Sequence, residues 1–535
     1  MSINLSKQRR EQLVSKINAI RAHIAAAPQD ENTAQLLTYI AEIEKDIKGK
    51  KYGLVFEEHR ESIDEVLERN LPVLSEDESL FIDNGGQMNF LIEGDNLASL
   101  KLLEKTHKGK IDLIYIDPPY NTGKEDFIYD DVYIDLTDTF RHSKWLSFIE
   151  KRLVIAKQLL SPSGVIFISI DDNEQAQLKV LCDNIFGENN FINNFMWLHG
   201  KGKKDTWSRT MQQYILVYAA NKRTLHEWND QSYTNYEFSN PDNDPKGKWF
   251  SGSLSFSENR SNPLHPNYYK IISPSGKVWE RQWQVTKKEM DALIAENDIF
   301  WGYPPQYDSV PRQKIRPGRI DIIPSNILDE CGTTRGAVEE LKSILGGEFF
   351  DYPKPADLIV KLLKYYNKKN ITAIDFFAGS GTTGHAVIKL NAEDGGARRF
   401  ILCTNNENNI CREVTYERIK RVIEKEGYAA SLKYFKVDFL PISDALYYEY
   451  ADELLRHVRE LVELENGINF TGNAEIAIVL TEEELDAFAL NIPEKCKTVY
   501  LGHDILPTEA QERILKEKGI TVNIIPDYYY RDLET

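Results

Sequence analysis

The apolar run Ile111-Asp112-Leu113-Ile114-Tyr115-Ile116 stops at Asp117-Pro118-Pro119-Tyr120, and this junction constrains the fold more tightly than any other stretch. The run is read as a strand. Two consecutive prolines fix two φ angles and remove two backbone donors, so the strand ends and the local carbonyls are free to accept from another group. The Asp117 carboxylate is a second acceptor, and Tyr120 offers a ring on which a flat heterocycle can stack. Two acceptors and a stacking plate at a strand end suit the exocyclic amine of a base drawn out of a duplex.

The chain around this junction alternates between β and α patterns. Short apolar runs occur at 89–93, 111–116, 165–170, 371–376 and 399–403, with helical spacing at 143–160, 173–186 and 355–366. Such alternation predicts a doubly wound, mainly parallel sheet whose ligands sit at the carboxyl ends of its strands. Every polar signature considered below falls at such an end.

One of them reads Ile374-Asp-Phe-Phe-Ala-Gly-Ser-Gly-Thr-Thr-Gly-His385, a strand, a tight glycine turn and the start of a helix. Gly379 and Gly381 let the backbone approach a ligand, and a helix N-terminus favours a carboxylate. The string is neither the dinucleotide fingerprint nor a Walker loop, because no Gly-Lys-Ser/Thr follows. An amino-acid-like ligand held by the loop amides and Asp375 fits better, with Phe377, Ser380, Thr382 and Thr383 as its neighbours. Glu407, at the end of the next strand, is a candidate for ribose hydroxyls, although a surface glutamate would look the same. Asp95, in Glu93-Gly-Asp-Asn96, ends another strand and suits an adenine amine; an unliganded surface carboxylate is again the alternative. An adenosine carrying an amino acid is S-adenosylmethionine.

Composition bounds the rest. A chain of 535 residues exceeds a single core, so several domains are expected. The N-terminus has no apolar stretch after its charges and no run reaches the length of a membrane span, so neither a secretory signal nor a membrane segment is expected. Five cysteines without paired spacing fit a reducing cytosol and argue against a metal site. The net charge of −18 is unusual for a nucleic-acid binder. Residues 196–330, however, hold 18 basic and 16 acidic side chains, whereas residues 441–535 hold 8 and 20. Residues 196–330 also contain seven of the eight tryptophans, together with Lys201-Gly-Lys-Lys204, Arg312-Gln-Lys-Ile-Arg316 and Arg319. Aromatic and cationic loops suit base stacking and phosphate contact, while a plain aromatic core is the alternative.

Asp117-Pro-Pro-Tyr120 followed far downstream by Phe377-Ala-Gly-Ser-Gly381 resembles the amino-methylating DNA methyltransferases, in the catalytic-first order of the β class. The longer strings Asp117-Pro-Pro-Tyr-Asn-Thr-Gly-Lys124 and Cys403-Thr-Asn-Asn-Glu-Asn-Asn-Ile410 are most similar to modification subunits of type III restriction–modification systems. The resemblance implies a circularly permuted Rossmann-like methyltransferase sheet with Asp117, Pro118, Pro119 and Tyr120 as catalytic residues. It adds Lys354-Pro355 to the cofactor contacts, and it implies N6 of adenine in double-stranded DNA as the target, a homodimer, and a separate restriction (helicase–nuclease) partner. The expected organisation is a helical hairpin over 1–60, a methyltransferase domain over 61–195 and 335–440, a target-recognition insertion over 196–334, and an acidic α/β domain over 441–535. A solitary methyltransferase, one acting on cytosine N4, RNA or protein, and a catalytically silent recognition subunit remain alternatives.

Overall fold

The computed structural model describes residues 5–25, 31–48, 56–123, 127–129, 132–133, 137–200, 207–228, 237–303, 305–316, 323–441 and 455–526. Ten strands form one sheet: β1 (Asn70–Glu76), β2 (Gln87–Glu93), β3 (Ile111–Ile116), β4 (Leu160–Ile170), β5 (Phe191–Leu198), β6 (Gln212–Ala219), β7 (Ile327–Leu328), β8 (Thr372–Asp375), β9 (Arg399–Thr404) and β10 (Ala430–Pro441). Their spatial order is β1-β10-β2-β9-β8-β3-β4-β6-β5-β7. The six strands from β10 to β4 are mutually parallel, with antiparallel pairs at β1/β10, β4/β6 and β6/β5. Strands buried on both faces need helices on both faces. Leu100, Leu153 and Leu178, on the helices Asn96–His107, Arg141–Leu159 and Gln175–Phe186, lie in one apolar cluster. Leu341, Leu363, Val387 and Ile419, on Thr334–Leu345, Ala356–Tyr366, Thr382–Asp394 and Glu417–Glu426, lie in the other. The expected doubly wound sheet is present, and the strand that ends at Asp117 precedes the strand that ends at the glycine loop.

The insertion is smaller than expected. Residues 196–219 were assigned to it, yet β6 pairs with β4 and β5 pairs with β6, so both are strands of the main sheet. Trp197 is accordingly a core residue of the sheet, its Nε1 donating to the Gly332 carbonyl at 3.1 Å. The separate module begins beyond Trp228. It packs Leu254, Ile271, Trp283, Met290, Ile299 and Trp301 beneath the strands Phe250–Ser253, Ile299–Phe300 and Arg312–Ile315 and the hairpin Tyr268–Ile272/Val278–Gln282. Six of the seven tryptophans are buried or half-buried, and Trp207 alone is exposed, at 93%. The plain aromatic core therefore accounts for most of them.

Among the described residues three cations of this module, Arg281, Lys314 and Arg316, are buried. Lys314 bonds Asp242 and Asp244 at 2.6 and 2.7 Å, and Arg316 bonds Asp244 and Asp298 at 2.8 and 3.0 Å. Burial pushes the Asp244 carboxyl up, but bonds from Lys314 and Arg316 outweigh it and leave the group well below its ordinary range. Lys201, Lys203, Lys204 and Arg319 lie outside the described residues.

Helices Leu5–Ala25 and Glu31–Lys48 form the expected N-terminal hairpin, tied by Arg21 and Glu44 at 2.6 Å. At the other end, Ile476–Val479, Thr498–Leu501 and Thr521–Ile524 make a small parallel sheet with Glu482–Leu490 and Glu509–Glu517. The helix Val458–Asn466, expected in that acidic domain, instead buries Val458, Leu461 and Leu464 in the core of the main sheet. Its Glu463 and Lys433 of β10 are both fully buried and bonded at 2.6 Å, with Glu76 of β1 on the same ammonium at 2.9 Å. Lys433→Ala would leave two buried carboxylates without their cation. It should cost about 3–5 kcal/mol, read as a lowered midpoint in denaturant unfolding; an unchanged midpoint would show that this network does not hold the helix.

Candidate active site

β3 and β8 are adjacent and parallel, with Leu113 opposite Ala373 and Ile114 opposite Ile374. Their carboxyl ends, Asp117-Pro-Pro-Tyr120 and Asp375-to-Thr383, therefore lie side by side at one edge. β2 and β9 bring Asp95 and Glu407 to the same edge, since both run parallel to β8. Asp95, Asp117, Pro119, Phe377, Gly379 and Glu407 line one cavity of about 430 Å³. A smaller pocket of about 60 Å³ is lined by Lys354, Asp375, Ser380, Thr382 and Thr383 and also touches Asp117, Phe377 and Gly379.

The tetrapeptide is held from several sides. The Tyr120 hydroxyl donates to Asp117 Oδ1 at 2.8 Å, and Lys354 Nζ donates to Asp117 Oδ2 at 2.6 Å. Trp145 Nε1 donates to the Pro119 carbonyl at 2.7 Å. The Lys354 ammonium lies 5.0 Å from the Tyr120 ring centroid and 6.0 Å from that of Trp197. Lys354 was expected among the cofactor contacts; in the structure its ammonium rests on Asp117. Pro355 is buried and begins the helix Ala356–Tyr366.

The glycine loop is shaped by its own side chains. Asp375 Oδ1 accepts from the Phe377 amide at 3.0 Å and Oδ2 from the Thr383 hydroxyl at 2.5 Å. Burial pushes the Asp375 carboxyl up to about 7, against these two bonds. Its oxygens thus hold the loop. Gly379 and Gly381 have φ of 47° and 75°, left-handed values that favour glycine, and a Cβ on Gly381 would come within 3.2 Å of Thr415. Thr415 sits on the π-helical turn Ile410–Tyr416 and donates to the Gly379 carbonyl at 2.6 Å. Below them Arg418, fully buried, donates to Thr382 Oγ1 at 2.8 Å and to the Ser380 carbonyl at 3.3 Å.

Asp95 has two duties. It caps the helix Asn96–His107, its Oδ1 accepting from Leu97 and Ala98, while Oδ2 lies 3.8 Å from Arg152. Arg152 also lines the large cavity and is clamped by Glu61 through two bonds of 2.9 and 3.0 Å. Neither Arg152 nor Glu61 was singled out from sequence. The available signal was an arginine on the buried stripe of a helix, between Ile149 and Ala156. Phe148, Phe350 and Asn405 complete the wall.

The large cavity lies within the usual size range for a cofactor and combines aromatic walls with polar groups at its ends. Its ionisable lining is Glu61, Asp95, Asp117 and Glu407 against Arg152, an arrangement that favours a ligand carrying positive charge.

A family model described as DNA methylase matches residues 111–416. The Mod subunit of the type III restriction-modification enzyme StyLTI from Salmonella typhimurium is 37% identical over 64% of this chain and 58% of its own length. The EcoPI Mod subunit of Escherichia phage P1 is 34% identical over 64% of this chain and 63% of its own length. The type II methyltransferase M.KpnI of Klebsiella pneumoniae is 32% identical over 61% of this chain and 82% of its own length. The chain therefore spans about three-fifths of the two Mod subunits.

The raised Asp375 carboxyl has a measurable consequence. Below about pH 4 it is protonated both folded and unfolded; as pH rises toward 7 the unfolded chain releases its proton first and stability falls. Asp375→Asn should flatten that fall in thermal melts run between about pH 4 and 7. A slope identical to that of the unaltered protein would mean the carboxyl titrates normally.

Proposed function

This chain belongs to the DNA methylase family, and on that premise we propose that it transfers a methyl group from S-adenosylmethionine to the N6 amine of a flipped adenine in duplex DNA. The observation that carries the reading is the side-by-side placement of Asp117-Pro-Pro-Tyr120 and the Phe377–Gly381 loop on adjacent parallel strands.

When bound in the large cavity, the cofactor supplies an electrophilic methyl on a sulfonium. Asp95 and Glu407 would hold its adenine and ribose, and the Gly379–Gly381 turn its amino-acid end. The residues of the chain act on the amine. Nitrogen N6 shares its lone pair with the ring and is a poor nucleophile. Asp117 and the Pro118 carbonyl, each accepting one of its hydrogens, favour a tetrahedral nitrogen with the lone pair directed away from both acceptors. The Asp117 oxygens already accept from Tyr120 and Lys354, but a carboxylate offers about four lone-pair sites, so capacity for the amine remains. Lys354 compensates the aspartate charge in this half-buried position. The Tyr120 ring, with the Lys354 ammonium beyond it, provides the stacking surface for the base. Transfer is then an in-line displacement governed by alignment, and the proton leaves N6 after the bond has formed.

The Mod-subunit relatives support a place in a type III restriction–modification system, with a separate restriction subunit as partner. The M.KpnI relative, matched over most of its own length, favours a second reading: a methyltransferase that needs no type III partner. Single-molecule sequencing of DNA from cells with and without the gene identifies the modified base and its motif. Asp117→Ala should lower methyl transfer from labelled S-adenosylmethionine by on the order of 10³-fold while cofactor binding stays within about twofold. Full activity of that variant on the methylated motif would sink the assignment.

A further inference from the structure

We propose that Glu174, paired with His142, is a positioning residue for the catalytic turn and acts through Asn121. The proposal rests on the methyltransferase reading above.

Asn121 directly follows Tyr120, is fully buried and has φ of 57°. The chain must reverse there, since two prolines and the Trp145 bond to Pro119 fix the preceding path. A left-handed conformation in a non-glycine residue needs support from its surroundings. Asn121 finds it through its amide, which donates to Glu174 Oε1 at 2.5 Å and to the Arg141 carbonyl at 3.3 Å. The Glu174 side chain has no exposed surface, and its Oε1 also lies 2.6 Å from His142 Nδ1. Gln177 Nε2 approaches the same imidazole nitrogen at 3.4 Å. The backbone of Glu174 is fixed independently, its carbonyl accepting from Leu178 at 2.9 Å as the helix Gln175–Phe186 begins. One rigid chain of contacts therefore runs from a helix start to the residue that ends the catalytic turn.

This cluster is more than a satisfied hydrogen bond. Glu174 Oε2, Asn121 Oδ1 and Arg141 Nη1 are all buried without a hydrogen-bond partner. A buried acid is costly unless it is neutral or paired. The groups facing Glu174 are Arg141 and His142 from one helix, Asp171 from the end of β4, Gln177 on its own helix and Asn121. Burial pushes its carboxyl up to about 8; the Asn121 bond and Arg141 oppose this, and Asp171 adds to it. Burial also lowers the His142 imidazole. Near neutral pH the pair thus holds one dissociable proton between Oε1 and Nδ1, a coupled titration belonging to both groups. Loss of that proton leaves a net charge behind the turn, and the turn shifts with it. Transfer is sensitive to such shifts, because misplacement by an ångström can cost about 10²-fold in rate.

The test compares methyl transfer by the full-length protein and three variants on a duplex carrying the site that the unaltered protein methylates. Glu174→Ala should lower kcat about 10- to 100-fold with cofactor KM within about twofold. Asn121→Gly keeps the left-handed backbone but removes the amide, and should lose rate to a similar extent even if Glu174→Ala fails to fold. Glu174→Gln mimics the protonated acid; it should recover most of the rate at neutral pH and abolish the decline expected of the unaltered protein above about pH 8. The proposal is overturned if Asn121→Gly turns over at the unaltered rate. It is equally overturned if Glu174→Gln is no better than alanine or retains the alkaline decline. Absence of methyl transfer by the unaltered protein would instead sink the functional reading itself.

Discussion

Everything in this molecule depends on β3 and β8 lying next to each other and running the same way. Parallel neighbours deliver their carboxyl ends to one edge, so the prolines that stop β3 and the glycines that stop β8 share a wall. Neither end could be moved across the sheet without reversing a strand, and parallel strands need long crossovers. Here the crossover is more than 200 residues long and contains the whole insertion module. That length carries a loop-closure cost that grows only slowly with chain length. Among the described residues, 39 strongly buried side chains of one face and 41 of the other supply the apolar contact that holds the two halves together.

Much of this was legible in the sequence, because the informative residues are those with restricted chemistry. Proline, glycine and a carboxylate at the end of an apolar run can be placed without knowing what packs around them. Asp95, Asp117, Phe377, Gly379 and Glu407 indeed converge on one cavity. Side chains whose role depends on a distant partner were harder. Lys354 was read as a cofactor contact, and its bond across to Asp117 at the end of β3 was not foreseen. Asp375 was read as a ligand for a cofactor amine, and its bonds to Phe377 and Thr383, which shape the loop, were not foreseen. Arg152 and Glu61 meet across 91 residues of sequence and carry no motif.

The insertion shows the same limit for aggregate properties. Counting basic and aromatic residues suggested a nucleic-acid surface between 196 and 330. The tryptophans and two of the cations are instead mostly what a small, irregular module needs to hold itself together. Its sheets have two and three short strands, and such sheets gain little from backbone pairing alone. Trp249, Trp283 and the Lys314–Asp244–Arg316 network supply the difference. Composition records what a segment contains, while burial decides which of those groups can face a partner.

The antiparallel pairing of β1 with β10 sets Asn70 opposite Pro441, so the first and last strands of the methylase body lie side by side. The body is in effect a closed loop of chain that has been cut at one point, and catalytic-first order records only where the cut fell. Both terminal extensions leave from this edge of the sheet. The insertion leaves from the β6–β5–β7 edge, nine strand spacings or about 40 Å away. Growth at either edge leaves the central strands untouched, so either extension can change in length or sequence without moving the strand ends that meet at the site.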